Sequence, residues 1–430
     1  MADSSVRRSQ RIAARAGGPS PAATKRPAAP DATTAETSLR RSKRIAQRVG
    51  HARRDPKWRD WAGVTSLAVE TIADRVRDRD VADFMRFRAV CKLWMAGSST
   101  QKPRELGEHV IDHRFHPRRW ILLTEPPAPE DTPTPTRRKL LNVTTREIIK
   151  VHLPELAGHA VIPGPAAAPE GMLVVCEMTT LVVRLLNPLT RHVVDLPSLQ
   201  TLQTADRHWG PIPFAFRVNH VVTAAGFADA STVVVYFGRI NQMAMVKPGD
   251  ALWTPVGGLN PEFPLRSTAT FQCRFYCVDR TNLMVLDLDQ RQLVVAADMV
   301  QQFRTVSLVD DSGRLMAVCS LEQVVRFGAR SSLTETQIEL FHVDLEKGTL
   351  LPILDLGERA IFTGPRGAVL LPRTNYYFSV DRGTVFFRFC KSHQPHFGAF
   401  HVHSRHTCYV ASTWRRLGEH VASYATAGIK

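Results

Sequence analysis

The residues best suited to chemistry lie near the C-terminus, where His393, His396, His401, His403, His406 and Cys408 gather imidazole and thiol groups in one short stretch. These are the ligands that zinc and copper prefer. In the run AFHVHSRHTCYV, however, alternation places His401 and His403 on one strand face and Ser404-Arg405 at the polar centre of a hairpin. That pattern predicts solvent-facing imidazoles and no metal site. Cys273 and Cys277 flank Phe275 in FQCRFYC, and on a strand all three side chains face one way, as a core row does. The acid pairs Asp287 with Asp289 and Asp310 with Asp311 fall beside turns and read as solvated turn residues. The chain has no Gly-rich phosphate loop, no HExxH, no GxSxG elbow and no CxxC pair. The expectation is no catalytic residue, no metal and no cofactor: the chain is read as a binding protein and not as an enzyme.

The elements that carry these residues are short and apolar. From Trp120 onward, strands alternate with polar turns in a strand–turn–strand design. Examples are LLNVTTREIIKVHLP from Leu140, LVVRLLNPLTRHVVDLP from Leu181, FYCVDRTNLMVLDLD from Phe275 and IELFHVDLEKGTLLPI from Ile338. A loose recurrence of about 40 to 60 residues is the spacing of propeller blades of about four strands. A mostly β fold with a degenerate propeller follows, with a two-sheet sandwich as the alternative. Asn187-Pro188 reads as a stiffened turn, and Asp344 with Gly348 frames a hairpin loop.

A small helical module precedes the strands. Val69, Ile72, Ala73 and Val76 follow the i, i+3, i+4, i+7 spacing of one helix face. Asp80 and Asp83 are placed to cap and charge-complement a second helix that starts near Val81. On that helix Phe84, Phe87, Cys91 and Trp94 recur as one stripe, which Val90 widens. Two helices of this size cannot bury both apolar faces on each other, so a partner surface is implied.

The 430 residues, 44% hydrophobic, are enough for two or more domains and a sizeable core. No apolar run reaches the roughly 18 residues of a membrane span, and no secretory core is present, so no membrane partner is expected. Seven cysteines, an odd number scattered along a long chain, point to reduced thiols in the nucleus or cytoplasm. Of the net charge of +16, residues 1 to 60 hold +10, from 15 Lys and Arg against 5 Asp and Glu. This leader is rich in Ala, Pro, Ser and Thr and is expected to be disordered over residues 1–57. It carries RRSQRIAAR at Arg7–Arg15 and again RRSKRIAQR at Arg40–Arg48. The cations Arg7, Arg8, Arg11 and Arg15, and then Arg40, Arg41, Lys43, Arg44 and Arg48, suit an import receptor's acidic groove or the phosphates of nucleic acid. Ser9 and Ser42 follow paired arginines, where phosphorylation would cancel local charge.

Between Asp60 and Trp94 the sequence resembles the F-box, and Arg86-Phe87-Arg88-Ala89-Val90-Cys91-Lys92-Leu93-Trp94 looks like that module's close. At its opening, Val64-Thr65 stands where the family usually carries Leu-Pro. HPRRWILL at His116, RLLNPLTRHVVDLP at Arg184 and FHVDLEKGTLLPILDLGERAIF at Phe341 extend the likeness to the plant, grass-like F-box family with a kelch-type β-propeller, the domain-of-unknown-function 295 family. The resemblance implies a substrate-recognition subunit of a Skp–cullin–F-box type E3 ubiquitin ligase. In it Val64, Val69, Ile72, Val76, Phe87, Val90, Cys91 and Trp94 meet the Skp-type adaptor, and through it a cullin, while the propeller holds an unknown protein substrate. The alternative is a nuclear nucleic-acid- or chromatin-associated interaction protein that acts through the Arg-rich leader. The expected organisation is the leader to 57, F-box-like helices over 58–100, the propeller over 110–415 and a tail over 416–430.

Overall fold

A computed structural model describes residues 64–98, 111–123, 136–145, 147–162, 169–177, 179–202, 222–299, 303–327, 331–364, 367–372, 383–391 and 394–409. The described residues all fall within one compact unit, Ala62–Lys430. The Arg-rich boxes of the leader lie outside the described residues, as does the tail over 416–430.

Three helices open the described chain: α1 (Ser66–Arg79), α2 (Val81–Arg88) and α3 (Lys92–Gly97). Asp80 ends α1 and caps α2, its carboxylate accepting from the Ala82 amide at 2.7 Å, as its position before Val81 predicts. The expected single stripe from Phe84 to Trp94 is corrected, because Cys91 is extended at φ −157° and starts a third helix. Its thiol takes the cap position, Sγ accepting from the Trp94 amide at 3.4 Å. Trp94 reaches the stripe by folding back, its ring stacked on Phe87 at 4.4 Å.

Among the described residues, twenty-four strands then form six sheets, the blades of a six-bladed propeller. Blade one is β1 (Trp120–Leu123), β2 (Arg137–Asn142) and β3 (Ile148–His152). Blade two is β4 (His159–Val161), β5 (Leu173–Glu177), β6 (Val182–Leu186) and β7 (Val193–Ser198). Blade three is β8 (Ala224–Phe227), β9 (Val233–Phe237), β10 (Gln242–Val246) and β11 (Thr254–Val256). Blade four is β12 (Ser267–Phe271), β13 (Arg274–Val278), β14 (Asn282–Asp287) and β15 (Gln292–Asp298). Blade five is β16 (Thr305–Asp311), β17 (Arg314–Phe327), β18 (Ser331–Asp344) and β19 (Thr349–Pro352). Blade six orders β20 (Arg359–Gly364), β21 (Gly367–Pro372), β22 (Thr384–Lys391), β23 (Gln394–His401) and β24 (His406–Tyr409) as β21-β20-β22-β23-β24, with β22 parallel to β20. The other described strand ladders are antiparallel, so the propeller expectation holds and the sandwich does not.

Six of the described hairpins close by one recurring device. Asn142, Asn187, Asp229, Asp279, Asp287 and Asp344 each accept, through one side-chain oxygen, the amides two and three residues ahead. This Asx geometry mimics a backbone turn and is why Asn and Asp punctuate the strand pairs. The ring itself is apolar. Val183, Leu185 and Val194 of blade two meet Val233 and Phe237 of blade three, and Val234 and Met243 meet Phe275 and Met284 of blade four. Tyr276 and Leu283 meet Leu308 and Leu315 of blade five, and Met316 and Leu340 meet Ile361 and Val385 of blade six. Leu153 and Leu156, after β3, pack with Leu173 and Leu186, and Ala360, Phe362 and Leu371 return to Val143 of blade one. Blades three and four are also sewn by backbone, Gly257 donating to Arg291 O and Leu293 to Gly257 O, both at 2.9 Å.

Two expected placements are corrected. Phe275 and Cys277 are fully buried, but Cys273 is exposed in the β12–β13 turn at φ +55°, off the strand it was expected to share. A two-residue hairpin there needs left-handed backbone at both Gln272 and Cys273, which turns the thiol out of the core row. His401 ends β23, whereas His403 is exposed in the turn, so the two do not share a strand face. His393 and the side chains of His396 and Cys408 lie outside the described residues.

Phe275 shows how tightly the ring is filled, since a Cβ on Gly226 would stand 2.5 Å from its ring. Phe275→Ala should therefore destabilise by about 3–5 kcal/mol in urea unfolding. Val295→Ala, at a 54% exposed position on β15, should change stability by under about 0.5 kcal/mol. Equal effects of the two would contradict the ring packing.

Candidate functional site

The helices form their own small core. Val69, Ala73, Phe84 and Phe87 bury against Phe115 from the segment that follows, and Val64, Ile72, Val76 and Trp94 are partly buried on the same cluster. Phe84 and Phe115 lie 5.8 Å apart, and the Arg77 and Arg88 guanidinium groups cover Phe115 and Phe84. Most of the stripe read from the sequence therefore holds the module together. Val90 does not: it is 62% exposed, in the turn before α3. Three residues the sequence reading passed over join it in exposure, Leu67 on α1 and Leu93 and Met95 on α3. For Leu93 and Met95, a six-residue helix with Lys92 at its head and no buried residue gave no periodicity to single them out.

What fixes this module to the propeller is a buried carboxylate. Besides capping α2, Asp80 accepts from Trp120 Nε1 at 3.0 Å and from Asn142 Nδ2 at 2.7 Å, both side chains belonging to blade one and both buried. Ala82 packs with Trp120 and Leu140 on the same seat. Arg86 of α2 adds an ion pair with Glu147 just before β3. One blade further on, Asn187 Nδ2 donates to the Phe115 carbonyl at 2.7 Å. The two hairpins that touch the module or its linker thus carry Asn, whereas the other hairpins of the same design carry Asp. The amide explains the choice, because Asn accepts with its oxygen to close the turn and donates with its nitrogen to the neighbour, and a carboxylate cannot donate.

The linker continues inward. His116 stacks on Phe227 at the end of β8, ring centroids 5.2 Å apart, and its Nδ1 lies 2.5 Å from Glu170 Oε2. Arg118 donates to the same oxygen at 3.2 Å. Glu170 belongs to the 3-10 turn Pro169–Gly171, which lies against β1, β8 and β12 of three blades. Only glycine fits next to it: Gly171 has φ +83°, and an added Cβ would stand 2.1 Å from the Pro117 carbonyl. Burial alone would raise the Glu170 pKa, but the hydrogen bond and charge of His116, followed by Arg118, outweigh it and hold the carboxyl below its ordinary value. A cavity of ≈ 10 Å³ beside His116 and Asn187 is the size of about one water molecule.

The remaining titratable residues serve the frame. Asp287 closes a turn, as expected. Asp311 is corrected: it is 5% exposed and paired with Arg359, where a solvated turn acid was expected. Burial pushes the Cys176 thiol up to about 12 and raises Cys277 and Cys319 further, which keeps all three protonated near neutral pH. Among the described residues no three His, Cys, Asp or Glu side chains stand together as a metal site would require.

Asp80→Ala would leave the Trp120 indole and the Asn142 amide unpaired in a buried setting and remove a helix cap. It should cost about 3–5 kcal/mol by urea unfolding, against almost nothing for the exposed Asp78→Ala. A loss under about 1 kcal/mol would refute the seat. Glu170 sets a pH dependence. Its folded pKa is lower than the ordinary 4.5, so its stabilisation is present above that pH and is lost as pH falls through the folded value. The urea midpoint should drop below pH 4.5, and Glu170→Gln should flatten that part of the profile; an unchanged profile would contradict the pairing.

The KIB1-4 beta-propeller family model matches residues 140–408, from within β2 to the last strand. No curated protein matches the chain. Among solved structures, hydrazine synthase of Kuenenia stuttgartiensis is similar at a TM-score of 0.32 and 10% identity, over 64% of this chain and 90% of that one. The dihydro-heme d1 dehydrogenase NirN, solved in complex with DHE, is similar at 0.28 and 11%, over 65% of this chain and 50% of that one. Likenesses this distant bear on no function. The family match spans more than half of the chain and runs from β2 of blade one through blade six, and on that ground the chain belongs to the KIB1-4 beta-propeller family.

Proposed function

We propose that this protein is the substrate-recognition subunit of a Skp–cullin–F-box type ubiquitin ligase, with the three helices meeting the adaptor and the propeller holding the protein to be modified. The observation that carries the reading is the division of the helical module into two surfaces. One, centred on Asp80 and Ala82, is spent on blade one; the other keeps Leu67, Val90, Leu93 and Met95 exposed. Four large apolar side chains left exposed on so small a module fit an association surface. The F-box resemblance of Arg86 to Trp94 supports an adaptor as the occupant, and the KIB1-4 propeller supports protein interaction as the role of the rest.

The mechanism is proximity. Two binding events on one chain raise the local concentration of target near the ubiquitin carrier, so the chain need only hold geometry and perform no chemistry. The stiff seat at Asp80 matters here, since a rigid link preserves effective concentration better than a loose one. Nuclear or cytoplasmic location and recognition by an import receptor through the Arg boxes are part of this proposal and rest on the leader's sequence.

Purified chain should capture a Skp-type adaptor in a pull-down. Val90→Asp combined with Leu93→Asp should abolish capture, as loss of an apolar anchor commonly costs 2 kcal/mol or more, about thirtyfold. Because both positions are exposed, the melting temperature should barely move. Undiminished adaptor capture by that variant, or recovery of nucleic acid and no adaptor with the wild type, would overturn the reading.

A further inference from the structure

Blade one carries a charge pattern that the ring does not use. On β2 and β3 the cross-strand neighbours include Arg137 with His152, Lys139 with Lys150, and Leu141 with Ile148. Arg137, Lys139, Lys150 and His152 are all exposed, and Ile148 is 55% exposed at the end of the same row. The bonds of the ladder fix which pairs are close. Asn142 N donates to Glu147 O and Leu153 N to Thr136 O, so these opposed residues form hydrogen-bonded pairs. Counting inward by alternation, Arg137/His152, Lys139/Lys150 and Leu141/Ile148 fall at the non-hydrogen-bonded positions, where opposed Cα atoms come within about 4.5 Å. Like charges directly opposite at that spacing destabilise a sheet. No ion pair to an acid offsets them among the described residues.

The same parity sets the backbone. Residues in non-hydrogen-bonded pairs turn their N–H and C=O groups away from the partner strand, so Ile148, Lys150 and His152 aim theirs at the outer side of β3. β3 ends its sheet, and no described strand pairs with that side. Lysines on an edge strand also guard against unwanted pairing. That explanation reaches Lys150 but not Arg137 and Lys139, which lie one strand in from the edge.

We propose that the outer edge of β3 receives an extended acidic polypeptide segment by strand addition, with an acidic side chain at every second position so that carboxylates lie over Lys150 and His152. The incoming strand hydrogen-bonds to the outward amides and carbonyls of those three residues, and its carboxylates relieve the repulsion between Lys139 and Lys150. A polypeptide is favoured over a polyphosphate because the edge presents carbonyl oxygens as well as amides; a phosphate chain has no donor for the carbonyls, whereas a peptide backbone has both groups. Three other strands that end their sheets lack the pattern: β11 has Pro255 on its edge, and the exposed residues of β15 and β19 include Val294, Val295 and Leu351. The surface is separate from the helices and does not depend on the adaptor reading.

The test uses the full chain and a fluorescein-labelled ten-residue peptide in which Glu alternates with Val, followed by anisotropy at low and moderate salt. The basic leader gives the same background in every variant. Lys139→Gln with Lys150→Gln should weaken binding at least tenfold and leave the fold intact by circular dichroism. Ile148→Pro keeps every cation but removes one outward amide, and should weaken binding by a similar factor. Amide exchange over residues 148–152 should slow when the alternating peptide is added. A peptide with the same composition but its glutamates in one block should bind at least fivefold more weakly. Equal binding of both peptides, no effect of Ile148→Pro, or tighter binding of an oligothymidylate that tracks the lysines alone would each overturn strand addition.

Discussion

A single buried carboxylate determines how the halves of this molecule work together. Taking Asp80 out of water costs several kcal/mol unless donors replace the solvent, and here an amide, an indole and a carboxamide do so. The arrangement is directional: the amide comes from α2, the other two donors from blade one. The residue can be satisfied only when helix and blade are in contact in one orientation. Its neighbours follow from it. Trp120 must be buried to present its nitrogen, Asn142 must be an amide and not an acid, and Ala82 must be small enough to lie against them. Arg86 and Glu147 add a half-exposed pair at the rim, which contributes little to stability but agrees in direction.

The ring supplies what the seat needs, a blade that does not move. Apolar side chains of each sheet fill the space against the next, so that six small sheets share cores none could build alone. The linker between helices and ring is held at three further points: Phe115 in the helical core, the Phe115 carbonyl on Asn187, and His116 against Phe227 and Glu170. A segment tied so often transmits position from the helices to the centre of the ring. The proposed ligase role draws on this, because a receptor that perforce acts by placement requires stiffness between its two binding surfaces.

Much of this was legible in the sequence, for reasons that can be traced to residues. Strand pairs such as Arg184–Ser198 announce themselves through a continuous apolar strand, an Asn or Asp turn and a second apolar strand, and the Asp80 cap before Val81 is local chemistry. What escaped depends on tertiary partners. Nothing around Asp80 signals that its second oxygen reaches Asn142, 62 residues on, and Asp311 looks like any turn acid until Arg359 arrives from the next blade. Cys91 fits a helical stripe by spacing, yet its backbone is extended because the chain must reverse for Trp94 to stack on Phe87. One usable signal was overlooked: among hairpin turns of one design, Asn in place of Asp marks where a turn also donates outward. The cationic ladder on β2 and β3 needed the register, since only pairing shows Lys139 opposite Lys150.

The seat at Asp80 makes helices and propeller one cooperative body. Native-state hydrogen exchange measures this directly, amide by amide. The slowest amides of α1 and α2, from Val69 to Phe87, should exchange with the same opening free energy as those of β1 and β2, and denaturant should lower both in parallel. If the helices instead exchange through their own low-energy opening while blade one stays protected, the module is only loosely attached, and placement cannot be how this protein works.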